Sequence, residues 1–307
     1  MMKTALLFAG QGSQYVGMMK DLSEEFPIAN EILNKANDIL GYDIKSICFD
    51  GPKDVLTETR YTQPALFLHG SVIMGILAGN HDFTVTAGHS VGEYAALYAS
   101  KVLAFDDALR LVALRGKLMF EAGEHQPGTM FAVIGMKDEK VEEICKDLTE
   151  GGGGIVVTAN YNSPGQIVIS GSRDYLRENI NAFKEAGARM TMELNVSGAF
   201  HSPLVQPAKE ELEKAINSTE FRNTDKPVYS NVFAKPLTNA DDIKNALILQ
   251  LTSPVRWTQT LSNMQQDHIN RFVEIGPGKV LQGLVKRTLK DIEIEGIDKA
   301  NDIKKKL

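Results

Sequence analysis

Cysteine is scarce in this sequence, and its scarcity excludes two common ways of stabilising or equipping a fold. Only Cys48 and Cys145 occur among the 307 residues, and they stand far apart with no Cys-x-x-Cys pair. A disulfide framework and a thiolate zinc site are therefore excluded. We expect no metal centre and no permanently bound cofactor.

Long hydrophobic runs are also missing. The longest apolar stretch, residues 65–78, contains His69 and Gly70 and predicts a buried helix, since a membrane-spanning helix needs about 20 apolar residues. The apolar run at residues 4–9 is too short for a signal peptide and has no small-residue cleavage site. We therefore expect a cytoplasmic protein with no membrane segment.

Basic residues are fewer than acidic ones. The chain has 33 lysine and arginine residues against 39 aspartate and glutamate residues, which gives a net charge of −6. This balance argues against a general nucleic-acid binder, because such proteins carry a strongly basic surface. It leaves room for a local basic patch.

The order of predicted elements indicates an α/β protein. Buried strands are predicted at 4–9, 83–87 and 271–275, and helices lie between them, including one over 20–40. Strands that alternate with helices favour a mostly parallel sheet covered on both faces. A chain of this length is near the limit of one core, so we expect either one large domain or a domain with a smaller companion.

Residues 126–196 follow a different pattern. Their predicted order is β-α-β-β-α-β, which is typical of a ferredoxin-like unit. We expect an inserted subdomain at 126–196 and a large catalytic body formed by residues 1–125 and 197–307. Four consecutive glycines at 151–154 predict a flexible hairpin tip, since their spacing does not match a phosphate-binding loop.

The sharpest local signal is the motif G-x-S-x-G at residues 88–92. It falls where a predicted strand meets a predicted helix, which is the context of a nucleophile elbow. Ser90 would then stand at the N-terminus of the helix, where backbone amides favour negative charge. The alternative is a turn built from small residues with no chemical role.

A nucleophilic serine needs a base, and His201 is the best candidate among the six histidines. It lies in a loop of small residues where the predicted subdomain rejoins the large body, and such junctions border clefts. His81, His125 and His268 lie in polar connections, His69 belongs to an apolar helix, and His89 should point away from its neighbour Ser90. The order of serine before histidine agrees with the α/β-hydrolases.

No third member of a triad is evident from the spacing. Glu274 is one candidate, and a backbone carbonyl is another, because orienting an imidazole requires only an acceptor for its N–H.

Arg115 and Gln250 are polar residues at apolar positions. Arg115 falls on the buried stripe of a predicted helix over 106–122, and a buried guanidinium must find an anion. That anion is either an internal acid such as Glu93 or the carboxylate of a substrate. Gln250 interrupts an apolar run, so it is either a buried amide with partners or a surface side chain.

The turn at residues 10–14, Gly-Gln-Gly-Ser-Gln, follows the first strand. Its backbone N–H groups are suited to stabilising an oxyanion, and Val91, the residue after the nucleophile, would supply a second donor. A simple strand-exit turn is the equal alternative.

Taken together, these motifs resemble the malonyl-CoA:acyl carrier protein transacylases. The resemblance covers most of the chain, and its specificity comes from the order and spacing of many short motifs. The motifs are FAGQGSQ at 8–14, TQPAL at 62–66, GHSVGE at 88–93, RG at 115–116, ANYNSPGQ at 159–166, GAFHS at 198–202, QLTSPVRW at 250–257 and EIGPGKVL at 274–281.

The resemblance implies a ping-pong acyl transfer. Ser90 would attack the thioester of malonyl-CoA with His201 as general base, and acyl carrier protein would take the malonyl group on its phosphopantetheine thiol. In this family a backbone carbonyl orients the histidine, and the matching position here is Gln250.

The remaining site residues also follow from the resemblance. The backbone N–H groups of Gln11 and Val91 would form the oxyanion hole, and Arg115 would bind the free carboxylate of the malonyl group. Asn160 would line the pocket, and Phe200 would crowd a 2-methyl branch, which favours malonyl over methylmalonyl.

Three alternatives and one partner surface remain open. A polyketide acyltransferase would use the same residues, a serine esterase or thioesterase would share the elbow motif, and a non-catalytic carrier-binding module would need neither Ser90 nor His201.

A predicted C-terminal helix is surrounded by four cationic residues, Lys279, Lys286, Arg287 and Lys290. This helix is either a docking patch for the acidic carrier protein or a solvated face. We expect a monomer.

Overall fold

The computed structural model describes residues 3–77 and 82–306. Along these residues the strands are β1 (Thr4–Phe8), β2 (Val85–Gly88), β3 (Gly128–Ile134), β4 (Val156–Ser163), β5 (Gln166–Ser172), β6 (Met190–Glu193), β7 (Val228–Tyr229), β8 (Pro236–Leu237), β9 (Arg271–Ile275) and β10 (Glu293–Ile297). They form two separate sheets, one of six strands and one of four.

Helices separate and follow these strands. In chain order they are α1 (Lys20–Glu25), α2 (Pro27–Leu40), α3 (Ile44–Asp50), α4 (Lys53–Thr57), α5 (Thr59–Ile76), α6 (Gly92–Ala99), α7 (Phe105–His125), α8 (Asp138–Glu150), α9 (Arg173–Asn179), α10 (Asn181–Glu185), α11 (Gln206–Ser218), α12 (Ala240–Gln250), α13 (Trp257–Gln266), α14 (Val280–Thr288) and α15 (Ala300–Lys304). A short 3-10 turn, Pro203–Val205, precedes α11.

The six-stranded sheet has the order β10-β9-β1-β2-β7-β8. Its neighbours pair in parallel except for β7 and β8, which are antiparallel. The predicted α/β class with a mostly parallel sheet is therefore confirmed.

Both faces of this sheet are covered, as the central strand β1 demonstrates. All five of its residues are buried. Leu6 and Phe8 pack into the apolar cluster that includes α5 and α7, while Ala5 and Leu7 pack into a second cluster with Trp257 and its neighbours. Because successive strand residues point to opposite faces, this alternation requires a layer of helices on each side.

The four-stranded sheet has the order β4-β5-β3-β6 and is antiparallel throughout. It carries an apolar core of its own with α8, α9 and α10. Met130 on β3 and Val168 on β5 instead join the large cluster of the main body. The two sheets are thus bridged by continuous apolar packing, and a cleft lies between them.

Two local predictions were wrong. Residues 20–40 form two helices, because Phe26 is extended (φ −128°) immediately before Pro27, and a residue before proline avoids the helical region. The glycines at 151–154 connect α8 to β4 and are not a hairpin tip. A Cβ on Gly153 would lie 2.3 Å from the ring of Tyr175, so close packing limits this turn.

In the part of the chain that the structure describes, no helix is long and apolar enough to cross a membrane. Residue 78, the predicted end of the apolar helix, and His81 both lie outside the described residues.

Candidate active site

Ser90 stands on a sharp turn between β2 and α6. Its φ of +51° lies in the left-handed region, which a residue with a side chain seldom occupies. A Cβ on Gly88 would lie 1.9 Å from the carbonyl carbon of Gly92, and a Cβ on Gly92 would lie 2.3 Å from the carbonyl oxygen of Phe8. Both glycines are therefore required by close backbone approach, as in a nucleophile elbow.

Asn231, which follows β7, holds this turn from the neighbouring strand. Its Oδ1 accepts a hydrogen bond from the Ser90 backbone N–H at 2.7 Å, and its Nδ2 donates to the Gly88 carbonyl at 2.7 Å. The side chain is fully buried. Sequence reasoning missed this residue, and its position after the short strand at 228–229 was the only available signal.

His201 lies next to the serine. Its Nε2 is 2.8 Å from Ser90 Oγ, while its Nδ1 is 3.0 Å from the Gln250 carbonyl oxygen and 3.2 Å from that of Ser253. Because carbonyl oxygens only accept, they assign the proton to Nδ1. Nε2 is then free to accept the Ser90 hydroxyl proton, as a general base must.

The surroundings keep this histidine uncharged. Burial, and then the nearby Arg115 cation, lower the pKa of His201 from 6.5 to about 3. The two backbone acceptors act in the opposite direction but carry no formal charge. The imidazole is therefore neutral and able to accept a proton throughout the physiological range.

Two other histidines each lie beside an acceptor of their own, His69 fully buried and His89 half-buried. His69 Nε2 lies 3.1 Å from Asp298 Oδ1. His89 Nε2 lies 2.8 Å from Asn162 Oδ1, and its ring contacts Trp257 edge-on. His89 thus points away from Ser90 Oγ, as its place beside the nucleophile suggested.

Two further histidines lie away from the nucleophile as well. His125 and His268 are exposed, and neither lines the cavity that holds Ser90.

Of the two candidates that the sequence left open for orienting His201, Glu274 is not the one that contacts it. Its carboxylate accepts the backbone N–H groups of Leu281 and Gln282 and the side-chain amide of Gln282, and it thereby caps the start of α14. The acceptor nearest to the His201 Nδ1 is the backbone carbonyl of Gln250.

Arg115 lies on α7 and is 1% exposed. Its Nη1 donates to Gln63 Oε1 at 2.6 Å, and its Nη2 donates to Gln250 Oε1 and to Ser90 Oγ, both at 3.1 Å. Among the residues described, none accepts a hydrogen bond from the Arg115 Nε–H. The ion pair with Glu93 that the sequence left open does not form, and the guanidinium instead lies against the nucleophile.

Gln250 is a buried amide and not a surface side chain. Its Nε2 donates to the Ser90 carbonyl at 2.9 Å and to Glu93 Oε2 at 2.5 Å. Burial raises the pKa of the Glu93 carboxyl to about 7, against the lowering influence of the Gln250 and Asn231 hydrogen bonds and of Arg115. Gln250 thus separates the Glu93 carboxylate from the Arg115 guanidinium.

The backbone N–H groups of Gln11 and Val91 donate to no acceptor within residues 3–77 and 82–306. Both residues line the same cavity as Ser90. A buried N–H normally has a partner, so two unpaired amides beside a nucleophile are suited to stabilising negative charge on a bound oxygen.

The cavity that holds these groups has a volume of about 830 Å³ and lies between the two sheets. Asn160 on β4 and Phe200, beside His201, both line it. Apolar side chains form much of the remaining wall, among them Leu56, Met119, Met130, Val168, Leu194 and Val196. The described residues include no group of three or more histidine, cysteine, aspartate or glutamate side chains arranged to hold a metal ion.

The cationic side chains at the predicted C-terminal helix are solvent-exposed. Lys286 and Arg287 lie on α14, with Lys279 immediately before it and Lys290 just after it. None of the four lines the cavity.

An elbow serine, a neutral histidine and two unpaired backbone N–H groups in one cleft are suited to a serine-dependent acyl-transfer enzyme. The chain matches the acyl transferase domain family over residues 5–306. A malonyl CoA-acyl carrier protein transacylase of Staphylococcus aureus (strain MRSA252) is 42% identical over 305 residues, which are 99% of this chain and 98% of that protein.

Solved structures agree with these matches. An acyl carrier protein S-malonyltransferase from Vibrio cholerae superposes with a TM-score of 0.94 at 40% identity over 99% of both chains. A malonyl-transacylase in complex with a holo acyl carrier protein of a type II polyketide synthase also gives 0.94, at 38% identity over 99% of both chains. The chain belongs to the malonyl CoA-acyl carrier protein transacylase family of acyltransferases.

Proposed function

We propose that the protein transfers the malonyl group of malonyl-CoA to the phosphopantetheine thiol of acyl carrier protein through a malonyl ester on Ser90. The observation that carries this proposal is the 3.1 Å contact between the Arg115 guanidinium and Ser90 Oγ. A buried cation beside a nucleophile suits an acyl group that carries its own carboxylate.

The first half-reaction loads the enzyme. Ser90 Oγ forms a bond to the thioester carbon while its proton passes to His201 Nε2, and a tetrahedral oxyanion results. The carbon–sulfur bond then breaks, and the His201 proton goes to the departing CoA sulfur. The Gln250 carbonyl holds the imidazole in the required tautomer throughout.

The oxyanion forms where the N–H groups of Gln11 and Val91 are unpaired. The Ser90 N–H is not available for this task, because it already donates to Asn231. Fixed donors of this kind stabilise the transition state without reorganising, and the loss of one costs about 3–4 kcal/mol in a well-studied protease.

The second half-reaction runs the same chemistry in reverse order. The carrier's thiol gives its proton to His201 and attacks the ester carbon, and the Ser90 oxygen leaves as it regains that proton. One thioester replaces another, so the enzyme provides rate and selection rather than a driving force.

Selection comes from Arg115. The malonyl carboxylate would accept hydrogen bonds from the guanidinium, which lines the cavity beside Ser90, whereas an acetyl group would leave the buried charge without an anion. Phe200 and Asn160 line the pocket, and the bulk of Phe200 would disfavour a 2-methyl branch by about 1–3 kcal/mol.

The finer description of the fold is also a proposal. The serine-before-histidine order and the strand–elbow–helix unit support a core like that of the α/β-hydrolases. The sheet order β4-β5-β3-β6 and the element order support a ferredoxin-like subdomain at 126–196, with residues 1–125 and 197–307 as the large body. A cytoplasmic location, a monomeric state and the absence of a resident cofactor remain predictions.

The carrier surface is proposed at α14. Carrier proteins are acidic, and the exposed cations Lys279, Lys286, Arg287 and Lys290 offer the complementary charge. Because this protein carries a net charge of −6, such attraction has to be local.

A role in fatty-acid synthesis is the main proposal, and one in polyketide synthesis is the second. The second proposal is supported by the structural similarity to a malonyl-transacylase that is bound to the acyl carrier protein of a type II polyketide synthase. The chemistry at Ser90 is the same in both, so the two are distinguished by which holo carrier protein accepts the malonyl group faster.

Mass spectrometry tests the proposal directly. Mixing the protein with malonyl-CoA should add one malonyl group, mapped to the Ser90 peptide, and holo acyl carrier protein should remove it. The Ser90→Ala variant is the control and should stay unmodified. Fast release of free malonate without carrier would contradict a transferase and favour an esterase or thioesterase.

A further inference from the structure

The partners of Arg115 share one property: their oxygens are neutral. Gln63 Oε1 accepts from Nη1 at 2.6 Å and Gln250 Oε1 accepts from Nη2 at 3.1 Å, one from each side of the guanidinium. Within the described parts of the chain, no carboxylate forms an ion pair with Arg115. The cation is therefore held in position while its charge is not neutralised.

The rest of the network fixes which end of each amide faces Arg115. Gln63 Nε2 lies 3.1 Å from the sulfur of Met119, which accepts weakly and cannot donate. Gln250 Nε2 donates to the Ser90 carbonyl, which only accepts, and to Glu93 Oε2. Turning either amide over would place its NH₂ group against the guanidinium and lose these bonds.

This arrangement is unusual for a buried cation. A fully buried guanidinium ordinarily has a carboxylate in contact, because an uncompensated buried charge is costly. Here the nearest carboxylate, Glu93, is kept one amide away by Gln250. An incoming anion would supply the missing charge, and a carboxylate already in contact would compete with it.

We propose that Gln63 is a specificity-determining positioning residue, whose neutral amide oxygen aims Arg115 at Ser90 while leaving the guanidinium charge for the acyl carboxylate. Gln63 lies on α5, is fully buried and does not line the cavity, so it acts through Arg115 and does not touch substrate. This inference rests on the proposed function of Arg115.

The substitution Gln63→Glu tests the charge. It keeps the size and shape of the side chain but places a carboxylate in direct contact with the guanidinium. The rate constants for acylation of Ser90 by malonyl-CoA and by acetyl-CoA are measured separately by rapid quench and intact mass. We expect kcat/KM for malonyl-CoA to fall about tenfold or more, while that for acetyl-CoA changes less than about twofold.

Two further variants make the result specific. Gln63→Met removes the acceptor but adds no charge, and it should lower the malonyl preference only by about two- to fivefold through looser positioning. Gln266→Glu adds the same charge at an exposed position at the end of α13 and should leave both rate constants unchanged. Thermal unfolding of each variant reports whether it folds.

The outcomes separate this inference from the proposed function. If the unsubstituted protein forms no malonyl ester on Ser90, the proposed function fails. If it forms that ester and Gln63→Glu keeps the malonyl-to-acetyl ratio, the inference about Gln63 is overturned. A Gln63→Met loss as large as that of Gln63→Glu would also overturn it, because position rather than charge would then decide. Should Gln63→Glu not fold, an unchanged ratio in Gln63→Met would overturn it.

Discussion

The two sides of Ser90 use the same kind of partner for opposite purposes. On one side, His201 is held by the neutral carbonyl of Gln250 and stays uncharged. On the other, Arg115 is held by the neutral amide oxygens of Gln63 and Gln250, and its charge remains unpaired.

The two sides also differ in what builds them. The side with His201, here called the reaction side, depends on strained backbone, since Ser90 and His201 both have φ values in the left-handed region, +51° and +57°. The side with Arg115 is here called the selection side. The selection side depends on side chains of the helices α5, α7 and α12. Gln250 serves both sides, since its carbonyl holds His201 and its amide oxygen holds Arg115. Apart from Gln250, different residues carry reaction and selection, so we expect substitutions elsewhere to damage one without the other.

Removal of the base should have the largest effect. His201→Ala leaves the Ser90 proton without an acceptor, and loss of a general base costs about 10²–10⁴-fold in rate. The loss should be equal for malonyl-CoA and acetyl-CoA in single-turnover acylation. A selective loss of malonyl transfer would show that the two sides are not separate.

The second largest effect should come from a substitution at Asn231 that disturbs the turn at Ser90. Asn231→Asp replaces an NH₂ donor with an oxygen facing the Gly88 carbonyl, which repels it. We expect acylation of Ser90 to slow about tenfold for both acyl groups. Asn231→Ser serves as the uncharged comparison, and wild-type rates in Asn231→Asp would contradict a role in positioning.

The uncharged state of His201 should be visible in stability. Its pKa is lowered from 6.5 to about 3 in the fold, so the unfolded chain binds the extra proton between these values. The free energy of unfolding should therefore fall as pH falls through this range, by up to about 1.4 kcal/mol per pH unit from this group. His201→Gln lacks that contribution, and parallel stability curves for the two proteins would contradict it.

The smallest effect should come from the outer surface. Reversing the charges of Lys286 and Arg287 should raise KM for acyl carrier protein about two- to tenfold and leave KM for malonyl-CoA unchanged. The effect should shrink at high salt, because exposed charges are screened. An unchanged KM for the carrier would make α14 an ordinary solvated face.

The sequence was most informative where chemistry and local geometry coincide. The glycines flanking Ser90 predict the elbow because only glycine permits the backbone approach that the structure has there. The mostly parallel sheet followed from alternating strands and helices. Arg115 was noticed because a charge on an apolar stripe needs a partner.

Most of the rest depends on contacts between residues distant in the chain. Asn231 and Gln63 meet Ser90 and Arg115 only after β7 and α5 are packed, so no local pattern predicts these contacts. Glu274 was one of two candidates for orienting His201, yet its carboxylate caps α14, which begins only a few residues later. In each case the partner, and not the residue type, decides the role.

The most direct test is a competition between acyl groups. An equimolar mixture of malonyl-CoA and acetyl-CoA is offered to the unsubstituted protein and to Arg115→Ala, and the adducts on Ser90 are separated by mass. We predict a malonyl adduct on the unsubstituted protein and a malonyl-to-acetyl ratio lowered about ten- to a hundredfold in Arg115→Ala. If both adducts decline together and the ratio is kept, selection by Arg115 is contradicted.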